Sequence, residues 1–288
     1  MRTGILAGLG VFICVIARSQ QPMAAQSGES GLSFCKPAGK PQLLTGVPEA
    51  SGVSAGGRDP GMLWILNDSG ETHLFGFDAA GKSARVAVTG AELRDWEDIA
   101  IGKCPAGTCL YIADIGDNRG SRKRITIYRV EEPTPGSAAT GAAEVFHASY
   151  PDQPHDAEAV VVTNDDQWFV VTKEIPPRLY RFPVSPKPGA TVTLQFVRSL
   201  TERIRITGGA SSPDGRWVAL RSNRTLLLYK TEDFVDGRTP IRIDLTSLKE
   251  PQGEGIAFGR GGELYLVSEA GKVATGGMLL RLNCALPK

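Results

Sequence analysis

The sequence has little of what several common protein classes require. Its 32 basic and 31 acidic residues nearly balance, so the net charge indicates neither a nucleic acid nor an anionic membrane as partner. Histidine occurs only at His73, His147 and His155, which is not the spacing of metal ligands. No long helical pattern, nucleophile elbow, phosphate-binding glycine loop or supported Ser/His/Asp order is present. These absences exclude helical folds and the common hydrolase motifs.

The first 25 residues have the pattern of a secretory signal peptide. Arg2 is followed by an apolar stretch over 4–17 and by small residues at 23–25. The apolar stretch is shorter than the roughly 20 residues that cross a bilayer. We therefore expect export to the periplasm or the medium, with an uncleaved anchor as the alternative. The predicted division of the chain is a signal peptide (1–25), an N-terminal segment (26–40) and one large domain (41–288).

A pair of short apolar strands recurs five times in the remaining chain. In the clearest copy, Asp95–Ala100 begins with acidic residues and Leu110–Asp114 ends on one. The copies begin near positions 51, 97, 158, 207 and 254. A repeat of roughly 40–50 residues is typical of propellers and solenoids.

A third strand follows each pair, and a fourth strand follows four of them, so each repeat has the strand number of a propeller blade. The fourth strands are predicted at 85–88, 144–147, 193–196 and 241–244. Gln42–Thr45, before the first repeat, can supply the strand that the last repeat lacks and thereby remove the open sheet edges. The prediction is an all-β, five-bladed β-propeller closed by an N-terminal strand. Six blades are the alternative, because the segment 131–155 is long.

Four cysteines remain outside the signal peptide: Cys35, Cys104, Cys109 and Cys284. An even number in an exported protein indicates disulfides, and four cysteines allow three pairings. We favour Cys104–Cys109, which closes a small loop, and Cys35–Cys284, which flank the predicted seam of the ring. Four free buried thiols are the alternative.

The first strands of a propeller begin at one mouth of the central channel, so polar residues at these starts should form a ring. The predicted ring is Ser51, Glu97, Glu158, Thr207 and Glu254. Further acids should lie close by, at second-strand ends or beside the ring: Asp68, Asp114, Glu174, Glu269, Asp95, Asp98 and Asp156. Clustered carboxylates require a cation or raised pKa values. Oxygen ligands suit calcium better than zinc. The alternative to a metal site is that these acids only cap turns.

Loops after the second strands should lie at the same mouth, and they carry basic residues. Arg119, Lys173 and Arg221 are the predicted substrate-binding residues for a phosphorylated or other anionic small molecule. His155 and Asp114 are the predicted catalytic residues, with His155 as a general acid or base. Solvated loop charges are the alternative for the bases.

Several sequence segments resemble those of a family of secreted bacterial β-propeller proteins without a settled activity. They are Trp96–Ala100, Tyr111–Asn118, Ile127–Pro133 and Asp156–Val160. The predicted ring of Ser51, Glu97, Glu158, Thr207 and Glu254 is also similar to the central calcium ring of the five-bladed calcium-activated nucleotidases (apyrases). In blade order, the residues of that calcium ring are Ser, Glu, Glu, Ser and Glu. Thr207 departs from this order, because the fourth residue of the calcium ring is Ser.

Two hypotheses follow, and in both we expect an exported monomer. In the first, the protein is a calcium-dependent hydrolase of a phosphoester or phosphoanhydride. In the second, calcium is a structural plug in a non-enzymatic propeller that binds an envelope protein or glycan. A propeller without a metal is a third option.

Overall fold

In the computed structural model the chain forms five small sheets arranged as a five-bladed β-propeller. The structure describes residues 1, 4, 34–78, 83–134, 136–271 and 276–287. The predicted signal peptide therefore lies almost entirely outside the described residues, as does much of the N-terminal segment. The predicted all-β fold with five blades is confirmed, and the six-blade alternative is wrong.

The strands of each blade follow one another along the chain, from the channel outward. Two short strands come first: β1 (Cys35–Pro37) and β2 (Gln42–Thr45). Blade 1 contains β3 (Ala50–Ala55), β4 (Met62–Asn67), β5 (His73–Asp78) and β6 (Ser83–Ala87). Blade 2 contains β7 (Trp96–Cys104), β8 (Gly107–Asp114), β9 (Ile125–Glu131) and β10 (Glu144–Ser149). Blade 3 contains β11 (Ala157–Val162), β12 (Trp168–Thr172), β13 (Arg178–Arg181) and, after β14 (Thr191–Thr193), β15 (Gln195–Ser199).

The last two blades complete the ring. Blade 4 contains β16 (Gly208–Ser211), β17 (Trp217–Arg221), β18 (Thr225–Lys230) and β19 (Ile241–Asp244). Blade 5 contains β20 (Gln252–Phe258), β21 (Glu263–Glu269) and β22 (Gly276–Cys284). The inner strands contact one another in the cyclic order β3, β7, β11, β16, β20 and back to β3. These five strands therefore surround the central channel.

The two ends of the chain meet in blade 5. Both β2 and β1 pair antiparallel with β22, so the N-terminal strands complete the blade as predicted. Cys35 lies directly opposite Cys284 in this pairing, and the two form a disulfide. Cys104 and Cys109 form the second disulfide. Both predicted pairings are confirmed, and the alternative of four free thiols is wrong.

The structure differs from the sequence prediction at three places in the outer parts of the blades. The fourth strand of blade 3 begins at Gln195, because Thr191–Thr193 pairs instead with the outer strand of blade 2. A short helix, α1 (Thr231–Asp236), follows β18 and was not predicted from the sequence. The long segment after β9 does not form a sixth blade, because it runs back along blade 1 and bridges Ala87 through Ala139.

The core consists of five apolar clusters, each between two neighbouring blades. Between blades 2 and 3, for example, Tyr111 and Phe146 contact Trp168 edge-on, with ring centroids 4.9 Å apart in each pair. Burial of each large apolar side chain stabilises the fold by about 1.5–3 kcal/mol. Helix α1 belongs to this packing, because buried Phe234 contacts the ring of Phe169 at 5.5 Å. Among the described residues, no helix has the length and apolar character needed to cross a membrane.

Glycines allow the inner strands to approach closely around the channel. A Cβ atom on Gly52 would lie 2.8 Å from Asp98 Cα, and one on Gly255 would lie 2.7 Å from the Ser51 carbonyl oxygen. A Cβ atom on Gly208 would lie 2.6 Å from the Glu254 carbonyl oxygen. Any side chain at these positions would push neighbouring blades apart. The channel is therefore narrow where the inner strands begin.

Candidate metal centre

A β-bulge recurs near the start of four inner strands. The register shifts leave Ser51, Glu97 and Glu158 unpaired in blades 1, 2 and 3, and they place Glu254 at the corresponding bulge of blade 5. Strand β16 of blade 4 has no such shift, and Thr207 immediately precedes it. A bulge re-aims a side chain that regular pairing would direct elsewhere. The structure thus brings the predicted ring residues to one mouth, with blade 4 as the exception in backbone geometry.

Three carboxylates from blades 2 and 3 form the tightest acidic group at this mouth. Glu97, Asp156 and Glu158 each offer an oxygen, and these oxygens lie within 4.8 Å of one another. Glu97 and Glu158 are buried, whereas Asp156 is half-buried. Asp156 precedes β11 and was predicted as added charge, not as a member of the ring. The three residues together have the spacing of a cation site.

Burial and mutual repulsion disfavour the ionised forms of these acids. Burial raises the pKa of Glu97, and the Glu158 and Asp95 carboxylates raise it further. Burial also raises the pKa of Glu158 despite the opposing effect of Lys173. The pKa of Glu254 rises to about 8, first through burial and then through the charge of Glu158. A cation among them would reverse these shifts.

One lysine lies within the acidic group. Lys173 follows β12, and its Nζ donates a hydrogen bond to Glu158 Oε1 in an ion pair. Burial lowers the pKa of Lys173, but the charge of Glu158 outweighs burial and leaves that pKa above its usual value. The ammonium thus stays protonated and neutralises one carboxylate. Glu97 and Asp156 are left without a cationic partner of their own among the described residues.

Two further features bear on the acidic mouth. Glu254 is 6% exposed, and its Oε2 is buried without a hydrogen-bond partner among the described residues. A Cβ atom on Gly116 would lie 2.1 Å from Glu97 Oε1, so the glycine leaves room for that carboxylate. The available donors are carboxylate oxygens, which are the ligands of hard cations such as calcium.

The two hydroxyl members of the ring bind neighbouring backbone. Ser51 Oγ donates to the Glu97 carbonyl oxygen at 2.7 Å, which joins blade 1 to blade 2. Thr207 Oγ1 donates to the Gly253 carbonyl oxygen at 2.9 Å, which joins blade 4 to blade 5. Both hydroxyls therefore hold the ring together at the mouth, and only their oxygen lone pairs remain for a ligand.

Asp98 lies deeper than the ring and crosses the channel. Its Oδ2 accepts hydrogen bonds from the backbone N–H of Val160 in blade 3, at 3.0 Å, and of Gly209 in blade 4, at 3.1 Å. Its Oδ1 accepts from the N–H of Ile99 at 2.8 Å. The side chain is fully buried and connects three blades. Burial raises the pKa of Asp98, whereas its three backbone hydrogen bonds lower it, so the role of this side chain is to hold backbone amides below the mouth.

A second acidic group lies between blades 5 and 1. Burial, followed by the charges of Glu49 and Glu269, raises the pKa of Asp68 to about 7. Asp68 Oδ1 is buried without a hydrogen-bond partner among the described residues. The excess of negative charge thus extends around the mouth beyond the three-carboxylate group.

Two arginines near the mouth form buried ion pairs. Arg221 is fully buried and binds Glu250 through both guanidinium nitrogens, at 2.8 and 3.2 Å. Arg122 Nη1 lies 2.7 Å from Asp114 Oδ1, and both side chains are buried. Arg221, which was predicted to bind substrate, and Asp114, which was predicted to be catalytic, are therefore both enclosed. Arg119, the other predicted substrate-binding arginine, is exposed.

The sequence prediction missed the partners Glu250 and Arg122. Glu250 precedes β20 and lies 29 residues after Arg221 in sequence. Gly253 was the available signal, because a Cβ atom there would lie 1.9 Å from Arg221 Nη2. Gly253 lies inside β20, next to Glu254, and leaves the space that the arginine fills. For Arg122 we find no comparable signal in the sequence.

His155 is enclosed by polar partners on both ring nitrogens. Its Nδ1 lies 2.8 Å from Glu174 Oε1, and its Nε2 lies 3.0 Å from Asp152 Oδ1 and 2.8 Å from the Tyr180 hydroxyl. Only 4% of the residue is exposed. The histidine therefore fixes the loop that carries its neighbour Asp156, and in this structure it has no free nitrogen for a substrate.

Comparison with solved structures finds chains of low sequence identity. No protein-family model matches the chain, and no curated protein matches it. The PQQ-bound aldose sugar dehydrogenase from Streptomyces coelicolor is 13% identical, with 86% of this chain and 99% of that chain covered and a TM-score of 0.48. The calcium-binding protein regucalcin from Agrobacterium tumefaciens str. C58 is 16% identical, with 83% and 90% covered and a TM-score of 0.46. A streptogramin B lyase is 11% identical, with 85% and 97% covered and a TM-score of 0.46.

Proposed function

We propose that the protein is an exported β-propeller that binds calcium at its acidic channel mouth. The observation that carries this proposal is the group formed by Glu97, Asp156 and Glu158, whose oxygens lie within 4.8 Å of one another at a largely buried position. One ammonium, from Lys173, does not balance three carboxylates. The proposed further ligand, from blade 5, is the unpartnered oxygen of Glu254, whose pKa the Glu158 charge helps to raise.

The donor set favours calcium over other common cations. Zinc sites use histidine and cysteine, and both cysteine pairs are in disulfides while His155 is held by its own partners. Calcium takes 6–8 oxygen ligands in flexible geometry, including carboxylates that bind through both oxygens. Magnesium requires a tighter octahedron and keeps more water. The similarity of the predicted ring to the calcium ring of the apyrases supports the same ion. The ligands proposed here differ from that ring, because they include Asp156 and exclude the hydroxyls of Ser51 and Thr207.

Export is part of the proposal. It rests on the signal-like segment at 1–25 and on the two disulfides, which persist in oxidising compartments. The protein would act in the periplasm or the medium, as a monomer. Bound calcium would stabilise the ring by holding blades 2, 3 and 5 together at the mouth.

A second candidate function is calcium-dependent hydrolysis of a phosphorylated or other anionic small molecule. One observation favours it: Asp95 and Asp156 are half-buried, so the acidic group is open to solvent on one side. A calcium ion there would polarise a bound anionic group and supply an activated water. Exposed Arg119 would orient the substrate. The alternative is a structural plug in a propeller that binds an envelope protein or glycan.

Metal analysis tests the proposal directly. The protein purified without chelator should contain calcium, and calorimetric titration after EGTA treatment should show saturable calcium binding. Glu158→Gln should abolish that binding, whereas Glu232→Gln, an exposed acid on α1, should leave it intact. Wild-type protein that binds no calcium, or equal binding by Glu158→Gln, would overturn the proposal.

Turnover separates the two functions once calcium binding is established. The hydrolase candidate predicts cleavage of p-nitrophenyl phosphate or a nucleoside triphosphate that stops with EGTA and resumes with calcium. Arg119→Gln should then raise KM while calcium binding stays unchanged. Calcium binding without such turnover would support the structural plug.

A further inference from the structure

The channel has a second mouth with different chemistry. The inner strands begin at the acidic mouth and end at the opposite one, where β3 ends at Ala55, β11 at Val162 and β20 at Phe258. A cavity of about 320 Å³ lies at these strand ends. At about 3.3 Å per residue, the strand β7 from Glu97 to Lys103 separates the two mouths by roughly 20 Å. The buried Asp98 side chain crosses the channel between them.

The lining of this cavity contains no aspartate or glutamate among the described residues, but it contains two cations. Lys103 and Arg260 are both exposed at its rim. The Lys103 ammonium makes no ion pair within the described part of the chain, and Arg260 donates to the Gly57 carbonyl oxygen. The nearby acid Glu132 is buried beneath the loop, where the N–H groups of Gly57 and Arg58 already donate to it. The positive charge at this mouth is therefore not neutralised by a carboxylate of the lining.

A buried hydroxyl in the same lining lacks a partner. Ser211 lines the cavity, and its Oγ is buried without a hydrogen bond among the described residues. Neighbouring polar groups are satisfied, since Ser212 Oγ donates to Asp214 at 2.6 Å and Asn164 Nδ2 donates to the Pro213 carbonyl oxygen at 2.9 Å. A buried hydroxyl without a partner is unfavourable, and a hydrogen bond to a ligand oxygen would remove that penalty.

Apart from the hydroxyl residues Ser54 and Thr108, the rest of the lining is apolar or has no side chain. Ile101, Val162, Ala210 and Phe258 provide apolar surface. Glycines, among them Gly102 and Gly209, bring the backbone close to the cavity. The volume lies in the range of small-molecule sites, which are mainly apolar with a few convergent polar groups.

We propose that this basic mouth is a binding site for a small organic anion with a compact apolar body. The carboxylate or phosphate of the ligand contacts Lys103, Arg260 and the Ser211 hydroxyl. The apolar body lies against Ile101 and Phe258. The site is independent of the acidic mouth, because its charge is opposite and Asp98 blocks the channel between them.

Calorimetric titration with benzoate and phenyl phosphate tests this site, with benzamide as the uncharged control. The wild-type protein should bind at least one of the two anions saturably at millimolar concentration, and benzamide should bind about tenfold more weakly or not at all. Lys103→Gln and Arg260→Gln should each weaken the anion about five- to tenfold. Ser211→Ala should weaken it less. Lys187→Gln, which removes an exposed cation elsewhere, should leave binding unchanged.

The outcome is separable from that of the calcium proposal. Glu158→Gln should bind the anion as the wild type does, with or without calcium. Thermal unfolding of each variant verifies that it is folded before its affinity is compared. Absence of saturable binding by both anions, equal binding of benzamide, or an unchanged affinity in the Lys103→Gln and Arg260→Gln variants would overturn the proposal.

Discussion

Replacing Glu254 by glutamine should make the calcium-free protein more stable at neutral pH. Glu254 is 6% exposed, and its pKa rises from 4.5 to about 8 because burial and the nearby Glu158 charge disfavour its ionised form. Between these two pH values the folded protein holds a proton that the unfolded chain releases. Stability therefore falls as pH rises through this window, by about 1.4 kcal/mol per pH unit.

The magnitude follows from the same pKa shift. At about pH 7 the wild-type protein has lost roughly 3 kcal/mol relative to its stability below the ordinary pKa of Glu254. Glutamine does not titrate, so Glu254→Gln should recover about 2–3 kcal/mol at that pH and almost nothing at about pH 4.5. Calcium should bring the two proteins to about equal stability. At a hundredfold excess over Kd it stabilises the wild type by about 2.7 kcal/mol, whereas the variant has lost a ligand.

Urea unfolding followed by tryptophan fluorescence measures this effect. Wild type, Glu254→Gln and the control Glu232→Gln are compared at about pH 5 and about pH 7.5, with EGTA or with calcium. The control acid is exposed on α1 and should change neither curve. A Glu254→Gln protein that is no more stable than the wild type at about pH 7.5 in EGTA would refute the electrostatic reasoning.

Three other perturbations test different parts of the molecule. Lys173→Met leaves buried Glu158 without its cation, so the calcium-free protein should lose about 3 kcal/mol, and calcium should raise its melting temperature more than that of the wild type. Asp98→Ala removes the acceptor of three backbone N–H groups and should cost about 3–5 kcal/mol in urea unfolding, with or without calcium. Replacing Cys35 and Cys284 by serine opens a loop of 249 residues and should cost about 2–5 kcal/mol; an unchanged urea midpoint would show that β-pairing alone closes the ring.

The fold was readable from the sequence because its signals are local and repeated. Each short run with period-two alternation, bounded by glycine and proline, predicts a strand wherever it lies. Five repeats with only four fourth strands required an extra strand, and Gln42–Thr45 pairs with β22 as expected. The pairing of Cys35 with Cys284 followed from that seam. Helix α1 was missed because six residues with one buried side chain, Phe234, give too short a pattern.

The candidate site was only partly readable. Sequence placed Glu97, Glu158 and Glu254 in corresponding positions of their repeats, since strand order fixes which end of each inner strand faces the same mouth. It could not show that a bulge leaves each of them unpaired, because a one-residue register shift has no local signature here. It also could not show that Asp156 approaches them within ångströms.

The sequence by itself determined the number of blades, the closing strand and the disulfide pairs, because hydrophobic period and repeat length specify strands and their order. Only the tertiary structure decided which charges meet. Arg221 binds Glu250 across two blades, and Lys173 binds Glu158 within one. Ion pairs form only over about 3–4 Å. Which acidic side chain pairs with which basic one therefore depends on bulges and on the close approach of blades at glycines. These features are set by packing around the whole ring and not by any one segment.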